Sequence, residues 1–189
     1  MEKINIVFLA LILVLITPVH SKYYSESHPY EPVQLKKTHL RFYLHDILSG
    51  KNPKAVKIAG PNSTTTPPIG DKLTPFGTLR AIDDPLTEGP EITSRVIGNA
   101  RGLYVSASQD KILTLVLCVD LGFTSGEFNG SSLSVFSRNP GTDKVRELAV
   151  VGGRKRFRYA RGFVLVMGVY GNPYNGDAVL EYNVTVVHP

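Results

Sequence analysis

The stretch LRFYLHDI, residues 40–47, has the alternation of a half-buried β-strand. Leu40, Phe42 and Leu44 fall on one face of such a strand, because strand side chains repeat with a period of two. The same count places Asp46 on that face, after three apolar side chains. A carboxylate at this position is either a strand-end group that reaches water or part of an enclosed polar site.

Seven further segments have the same period-two pattern, and turns rich in Gly, Asn, Asp and Pro separate them. Together the segments predict eight strands: THLRFYLHDI, FGTLRAID, SRVIGNARGLYVSAS, KILTLVLCVDL, SSLSVFS, VRELAVV, RFRYARGFVLVMGVY and DAVLEYNVTVV. No window has the 3.6-residue apolar period of a helix. Eight antiparallel strands can close into a barrel with room for one small ligand. On the pattern alone, a two-sheet sandwich stays open.

The N-terminal residues predict an exported protein. A basic start, an apolar run over residues 6–16 and a small residue at Ser21 have the layout of a secretory signal peptide covering residues 1–21. An uncleaved signal anchor is the alternative. We expect a flexible arm over residues 22–37 and one domain over residues 38–189. The expected location is extracellular, in the apoplast or cell wall, without a membrane span in the mature chain.

Two features matter for an exported chain. Cys118 is the single cysteine, so an internal disulfide is excluded, and its apolar surroundings predict a buried, unreactive residue. Three N-x-S/T sequons predict glycosylation on surface positions, at Asn62, Asn129 and Asn183.

Several kinds of chemistry have no support in the sequence. The five histidines and one cysteine form no spacing typical of a metal site, so no metal is expected. The chain has no nucleophile elbow and no phosphate loop, and it offers no fingerprint for a cofactor. No cofactor and no nucleic acid partner are therefore expected.

Polar side chains on otherwise apolar strand faces are the remaining candidates for a site. They are Asp46, Asp83, Asp84, Tyr104, Arg146 and Arg161. An acid in an apolar cavity has a raised pKa and can donate or accept a proton near neutral pH. An arginine or tyrosine opposite such an acid could bind a phenolic or quinone oxygen and stabilise negative charge on it.

Six blocks of sequence, in order, resemble the motifs of plant dirigent proteins. The blocks are FYLHDILSGKNPKAV, FGTLRAIDDPLTEGPE, IGNARGLYVSAS, GSSLSVFSRNP, VRELAVVGGRKRFRYARGFVL and GDAVLEYNVTV. The resemblance covers residues 42–187 and is closer to the broad, less characterised branch than to the pinoresinol-forming branch. It implies an eight-stranded antiparallel β-barrel of the allene oxide cyclase type that is secreted, glycosylated and assembled as a homodimer or homotrimer.

The resemblance also implies an activity. Dirigent proteins hold phenoxy radicals of the monolignol type, made by a separate laccase or peroxidase, and direct their coupling to optically active lignans. A pocket acid then assists ring closure of a quinone methide. Relatives dehydrate isoflavanols to pterocarpans, which is the second function that the resemblance implies.

The resemblance further implies roles for particular residues. Asp46 is the pocket acid or base, with Tyr104 and Arg146 as its catalytic partners. Asn139 stands where pinoresinol-forming members have a second acid, so Asp46 is expected to act alone. The predicted substrate contacts are Phe42, Leu44, Asn139 and Arg161.

The segment GGRKRFRYAR supports a third interpretation. It carries Arg154, Lys155, Arg156, Arg158 and Arg161, and the chain as a whole has a formal charge of +5. A basic hairpin over residues 154–158 could bind an acidic wall polysaccharide. A merely solvated hairpin is the alternative.

Overall fold

The computed structural model describes residues 23–29, 31–61, 74–109 and 112–189. The predicted signal peptide and Asn62 lie outside these ranges. The chain divides into two units, Met1–Pro32 and Val33–Pro189. The second unit contains, among its described residues, nine strands and one short 3₁₀ helix. They are β1 (Lys36–Asp46), β2 (Ala55–Ala59), β3 (Leu79–Thr87), β4 (Val96–Ser106), β5 (Thr114–Phe123), β6 (Ser132–Pro140), β7 (Val145–Arg154), the helix (Lys155–Phe157), β8 (Arg161–Gly171) and β9 (Ala178–His188).

The strands form a closed antiparallel barrel. The hydrogen-bonded order is β1-β9-β8-β7-β6-β5-β4-β3, and β1 closes the ring onto β3 through the pairs Tyr43–Thr87 and Leu44–Leu86. The prediction of an eight-stranded antiparallel barrel is confirmed. The ninth strand, β2, pairs only with the first half of β3. No strand was predicted over these five residues. Only Ala55 among them is buried, so the segment has no buried face.

Alternation along the strands fills the barrel interior. On β7, Arg146, Leu148 and Val150 point inward while their neighbours are exposed. The fully buried aliphatic side chains in the interior include Leu86, Leu121, Leu133, Leu148, Val164, Val166, Val184 and Val186. Burial of each side chain contributes about 1.5–3 kcal/mol to folding. The middle of the barrel is therefore a packed core.

The prediction that Cys118 is buried is wrong, because Cys118 lies on the outward face of β5. Cys118 is exposed, because it lies between inward-facing Leu117 and Val119 on an alternating strand. Gly102 on β4 explains how the two strands approach each other here. Its φ is +155°, and a Cβ atom at this position would lie 2.1 Å from the carbonyl oxygen of Cys118. A side chain at this position would therefore collide with the backbone of β5.

An aromatic cluster closes one end of the barrel. Phe157 is fully buried and packs against Phe128 and His188, with ring centroids 4.5 and 5.0 Å away. We call this the corked end, at which Lys36, Arg154 and His188 lie. The opposite end, defined by Asp46, Tyr104 and Asn139, is called the acid end. Among the described residues, no helix is long and apolar enough to cross a membrane.

The predicted strand RFRYARGFVLVMGVY is wrong in its first residues. Its first residues form the 3₁₀ helix, and Lys155 and Tyr159 have φ values of 56° and 63°. The backbone therefore reverses before β8 begins at Arg161. Counting side chains through this turn gave the wrong face, because Arg161 and Phe163 are exposed and Val164 points inward.

Candidate functional site

Two carboxyl groups face each other inside the acid end of the barrel. The pairing of β1 with β3 ends at Leu44 and Leu86, and the next inward-facing residues are Asp46 on β1 and Asp84 on β3, whose charges interact. Asp84 is only 1% exposed, and Asp46 is half-buried. The Oδ1 atom of each carboxyl is enclosed and has no hydrogen-bond partner among the described residues. Both acids therefore have an oxygen available for a bound hydroxyl group.

Burial raises the pKa of both carboxyls, but to different extents. Desolvation raises the pKa of Asp46 to about 6, while the positive charge of Arg80 and a hydrogen bond from Tyr104 oppose that shift. Desolvation and the charges of Asp46 and Asp83 raise the pKa of Asp84 to about 9, and the positive charge of Lys54 opposes that shift. Near neutral pH, Asp84 is therefore protonated while Asp46 is mostly ionised.

Tyr104 and Arg80 explain why Asp46 is the more acidic group. The two residues are paired across β3 and β4. The hydroxyl of Tyr104 donates to Oδ2 of Asp46 over 3.4 Å, and this bond favours the carboxylate. Burial and the charge of Asp46 raise the pKa of Tyr104, so its phenol stays protonated and remains a donor.

Arg146 brings a buried positive charge to the same interior. Its Nη1 donates to Oδ1 of Asn139 over a long 3.5 Å, and its enclosed Nε has no hydrogen-bond partner among the described residues. Burial lowers the pKa of Arg146. Tyr182 connects the two parts of the site, because the charges of Arg146, Asp84 and Asp46 all act on its phenol. Burial is the largest effect on Tyr182 and raises its pKa.

Aromatic and apolar side chains form the wall beside these polar groups. Phe42 stacks on Tyr182 with ring centroids 5.7 Å apart, and Leu44 is also buried. Both residues point into the interior on the same strand face as Asp46, as the alternation predicted. An aromatic ligand with hydroxyl groups would meet an apolar wall and a polar cluster in this arrangement.

The loops around Asp46 are joined by Asp177. Its Oδ1 accepts hydrogen bonds from the backbone N–H groups of Leu48 and Ser49, at 2.8 and 3.0 Å. Its Oδ2 accepts from the Ser49 hydroxyl and from Asn175. These bonds lower the pKa of Asp177, and its negative charge in turn raises the pKa of Asp46. Asp177 thus fixes the loops and influences the acid.

Comparison with known proteins places the chain in a family. The family model described as "Dirigent-like protein" matches residues 37–187. The chain belongs to the dirigent protein family. It is 48% identical to Dirigent protein 15 of Arabidopsis thaliana, and the match covers all of both chains. It is 39% identical, also over all of both chains, to Pterocarpan synthase 1 of Glycyrrhiza echinata.

A solved structure supports the same assignment. The pterocarpan synthase dirigent protein GePTS1 superposes with a TM-score of 0.76 at 42% sequence identity, over 85% of this chain and 89% of that chain. The dirigent resemblance that the motifs predicted is thereby confirmed. The barrel geometry follows that of its solved relative.

The structure brings most of the predicted site residues of this dirigent protein together. Asp46, Tyr104 and Arg146 all face the barrel interior, and Asn139 contacts Arg146. Arg161 is not part of this site, because it is exposed at the start of β8. The catalytic and binding roles of the predicted site residues stay predictions.

The second acid is the main feature that the sequence left undecided. Asp83 and Asp84 are adjacent, and only one of them can face inward on a strand. Asp83 is outside the barrel, where it accepts from Arg101 and Asn99 at 3.1 and 2.9 Å. Asp84 shares its face with Ile82 and Leu86, and this pattern could have identified it. Tyr182 gave no comparable signal, because it continues the apolar face of β9.

The predicted glycosylation sites differ in exposure. Asn129 lies exposed in the loop between β5 and β6. Asn183 is half-buried on β9, and its Nδ2 donates to Glu181 over 2.8 Å. Glycosylation of either residue stays a prediction. Among the described residues, no cluster of three or more His, Cys, Asp or Glu side chains could hold a metal ion.

Proposed function

We propose that this dirigent protein eliminates water from a phenolic benzylic alcohol of the isoflavanol type, through a quinone methide held in the barrel. The observation that carries the proposal is the pair Asp46 and Asp84, whose pKa values differ. Such a pair supplies a proton donor and a proton acceptor at the same pH. The similarity to pterocarpan synthases supports this substrate class.

The first step uses each acid in its expected protonation state. The carboxyl of Asp84 donates its proton to the benzylic hydroxyl group, the C–O bond breaks and water leaves. The carboxylate of Asp46 accepts the proton of the phenol conjugated with that carbon. The product is a neutral quinone methide. Tyr104 and Arg146 stabilise the negative charge that develops on the phenolic oxygen.

The second step restores both acids. A second phenolic oxygen of the substrate adds to the methide carbon, a new C–O bond forms, and the proton released goes to Asp84. Asp46 returns its proton to the carbonyl oxygen of the quinone methide. The net change is the loss of one water molecule, so the reaction requires no oxidant and no cofactor.

Guidance of phenoxy radical coupling is the second candidate function. In that reaction a separate laccase or peroxidase makes the radicals, and the protein directs their coupling and the ring closure that follows. Asn139 had argued against a two-acid closure, because an amide cannot exchange a proton near neutral pH. The inward position of Asp84 favours this candidate again, since it supplies a second acid from another strand.

One experiment separates the two candidates. The purified protein is incubated with a racemic isoflavanol that carries a suitably placed second phenol, without oxidant, and products are followed by chiral chromatography. We expect one enantiomer to be consumed and a cyclic ether to form. A parallel reaction contains coniferyl alcohol and a laccase. An optically active lignan there, with no dehydration in the first reaction, would favour radical guidance instead.

Variants connect either activity to the site. Asp46→Asn and Asp84→Asn should each reduce dehydration by about 10²–10⁴-fold, the usual contribution of a general acid or base. Asp83→Asn is the matched control, because it removes an adjacent carboxylate outside the barrel and keeps both inward carboxyls; its one expected effect on the site is a lower pKa of Asp84. Equal activity in the Asp84 and Asp83 variants would contradict the proposed site.

A further inference from the structure

A concave site lies at the corked end, at the opposite end of the barrel from the acids. It is a cleft of about 560 Å³, in the size range of small-molecule sites. The residues that line it are Lys36, Lys37, Thr38, His39, Leu40, Glu127, Phe128, Arg156, His188 and Pro189. The packed core and the buried Phe157 separate it from the acid end. Its ligand is therefore independent of the reaction proposed above.

The charged side chains of the cleft favour an anion. Lys36, Lys37 and Arg156 line it together with one acidic side chain, Glu127. Glu127 is already engaged, because its Oε1 accepts from Nη2 of Arg156 over 2.9 Å. The two lysines are exposed and have no ion pair among the described residues. The cleft therefore carries an excess of positive charge that a ligand can neutralise.

The positive surface extends beyond the cleft along the outside of the sheet. Lys37 and Arg161 are both paired with Val187, one from each side. Their Cα atoms therefore lie about 10 Å apart, two strand spacings of roughly 4.8 Å each, and both side chains point outward. A ligand that follows this row needs several negative charges spaced along its length.

The floor of the cleft favours a ligand with an apolar ring face. Phe128 is half-exposed, with one face stacked on Phe157 and the guanidinium of Arg156 5.8 Å from its ring centroid. His188 is buried beside it, and its Nε2 is hydrogen-bonded to Oγ1 of Thr38 at 2.8 Å. These contacts hold the aromatic floor in place. Simple inorganic anions make no use of such a surface.

From these features we propose that the cleft at the corked end binds an acidic oligosaccharide, a short chain of uronic acid residues. The carboxylates pair with Lys36, Lys37 and, along the row, Arg161. The C–H face of one sugar ring packs against the part of Phe128 that Phe157 and Arg156 leave exposed. The basic segment at residues 154–158 contributes through Arg156, whose side chain lines the cleft.

Calorimetric titration with defined oligosaccharides tests the proposal. The full chain is titrated with trigalacturonate, neutral galactotriose and sodium sulfate at equal ionic strength. We expect binding of trigalacturonate that weakens as salt is added, and no comparable binding of the neutral sugar or of sulfate. Absence of trigalacturonate binding would overturn the proposal. Equally tight binding of sulfate would also overturn it, because the site would then be selective only for charge.

Matched charge reversals locate the binding. Lys36→Glu with Lys37→Glu should weaken trigalacturonate binding by about tenfold or more. Arg138→Glu with Lys144→Glu is the control, because it makes the same charge change on exposed residues near the acid end. The control should change binding by less than about twofold. Equal losses in the two double variants would show nonspecific attraction and would refute a site in the cleft.

Discussion

Asp84→Asn is expected to reduce dehydration by about 10²–10⁴-fold and to stabilise the fold at neutral pH. The native state keeps Asp84 protonated up to a pKa of about 9, whereas the unfolded chain releases this proton near 3.8. Between these values the native state binds more protons than the unfolded state, so rising pH lowers the free energy of unfolding. The cost is about 1.4 kcal/mol per pH unit, which amounts to about 4 kcal/mol at pH 7. Asparagine has a similar shape and removes this cost.

Guanidinium unfolding measured from pH 4 to pH 7 tests the prediction. The variant and the wild type should have similar stability near pH 4, and the variant should become progressively more stable as pH rises. Asp83→Asn is the control, and its difference from wild type should not depend on pH in this way, because that carboxylate is paired with Arg101 outside the barrel. A pH-independent difference for Asp84→Asn would mean that Asp84 is ionised in the native protein and cannot be the proton donor.

Three further predictions concern other parts of the barrel. Tyr104→Phe removes a hydrogen bond to the carboxylate of Asp46, so it should raise the pKa of Asp46 and move the acidic limb of the pH–rate profile to higher pH. Asp177→Asn removes a nearby negative charge, so it should move that limb to lower pH. Shifts of the two variants in the same direction would contradict the assigned contacts. Burial lowers the pKa of His45, so the free energy of unfolding should fall as the pH drops below about 6.5, the pKa of histidine in the unfolded chain. In His45→Gln this pH dependence of the free energy of unfolding should disappear. Gly102→Ala should lower the free energy of unfolding by about 2 kcal/mol or more, because the new Cβ meets the backbone of β5; unchanged denaturation would show that the strand can relax.

The period-two alternation of strand side chains predicted much of this architecture, because the barrel buries one face of each strand. Phe42, Leu44 and Asp46 point inward together, and so do Arg146 and Leu148. A period-two pattern contains this information directly. The closure between β1 and β3 is a different matter, because it depends on pairing between distant segments. The proximity of Asp84 to Asp46 follows from this closure, so no local pattern could fix it.

The alternation predicted the wrong face for some residues, first of all where the chain leaves the strand conformation. Arg161 was assigned to the interior by counting from Phe157, but the 3₁₀ helix and the positive φ of Tyr159 reverse the chain between them. Cys118 was expected to be buried because its neighbours are apolar. Several apolar side chains remain on the outer face, including Leu103 and Phe136, which are paired with Cys118 on either side. An apolar run therefore did not reveal which residues face the core.

A titration of the aspartate carboxyl groups by ¹³C NMR measures the two protonation states that the proposed reaction requires. The resonances of Asp46 and Asp84 can be assigned from their loss in the two asparagine variants. We expect Asp46 to titrate near pH 6 and Asp84 to titrate near pH 9. Titration of both carboxyls near the usual value of 3.8 would contradict it, because the barrel would then hold two carboxylates at neutral pH and no proton donor between them.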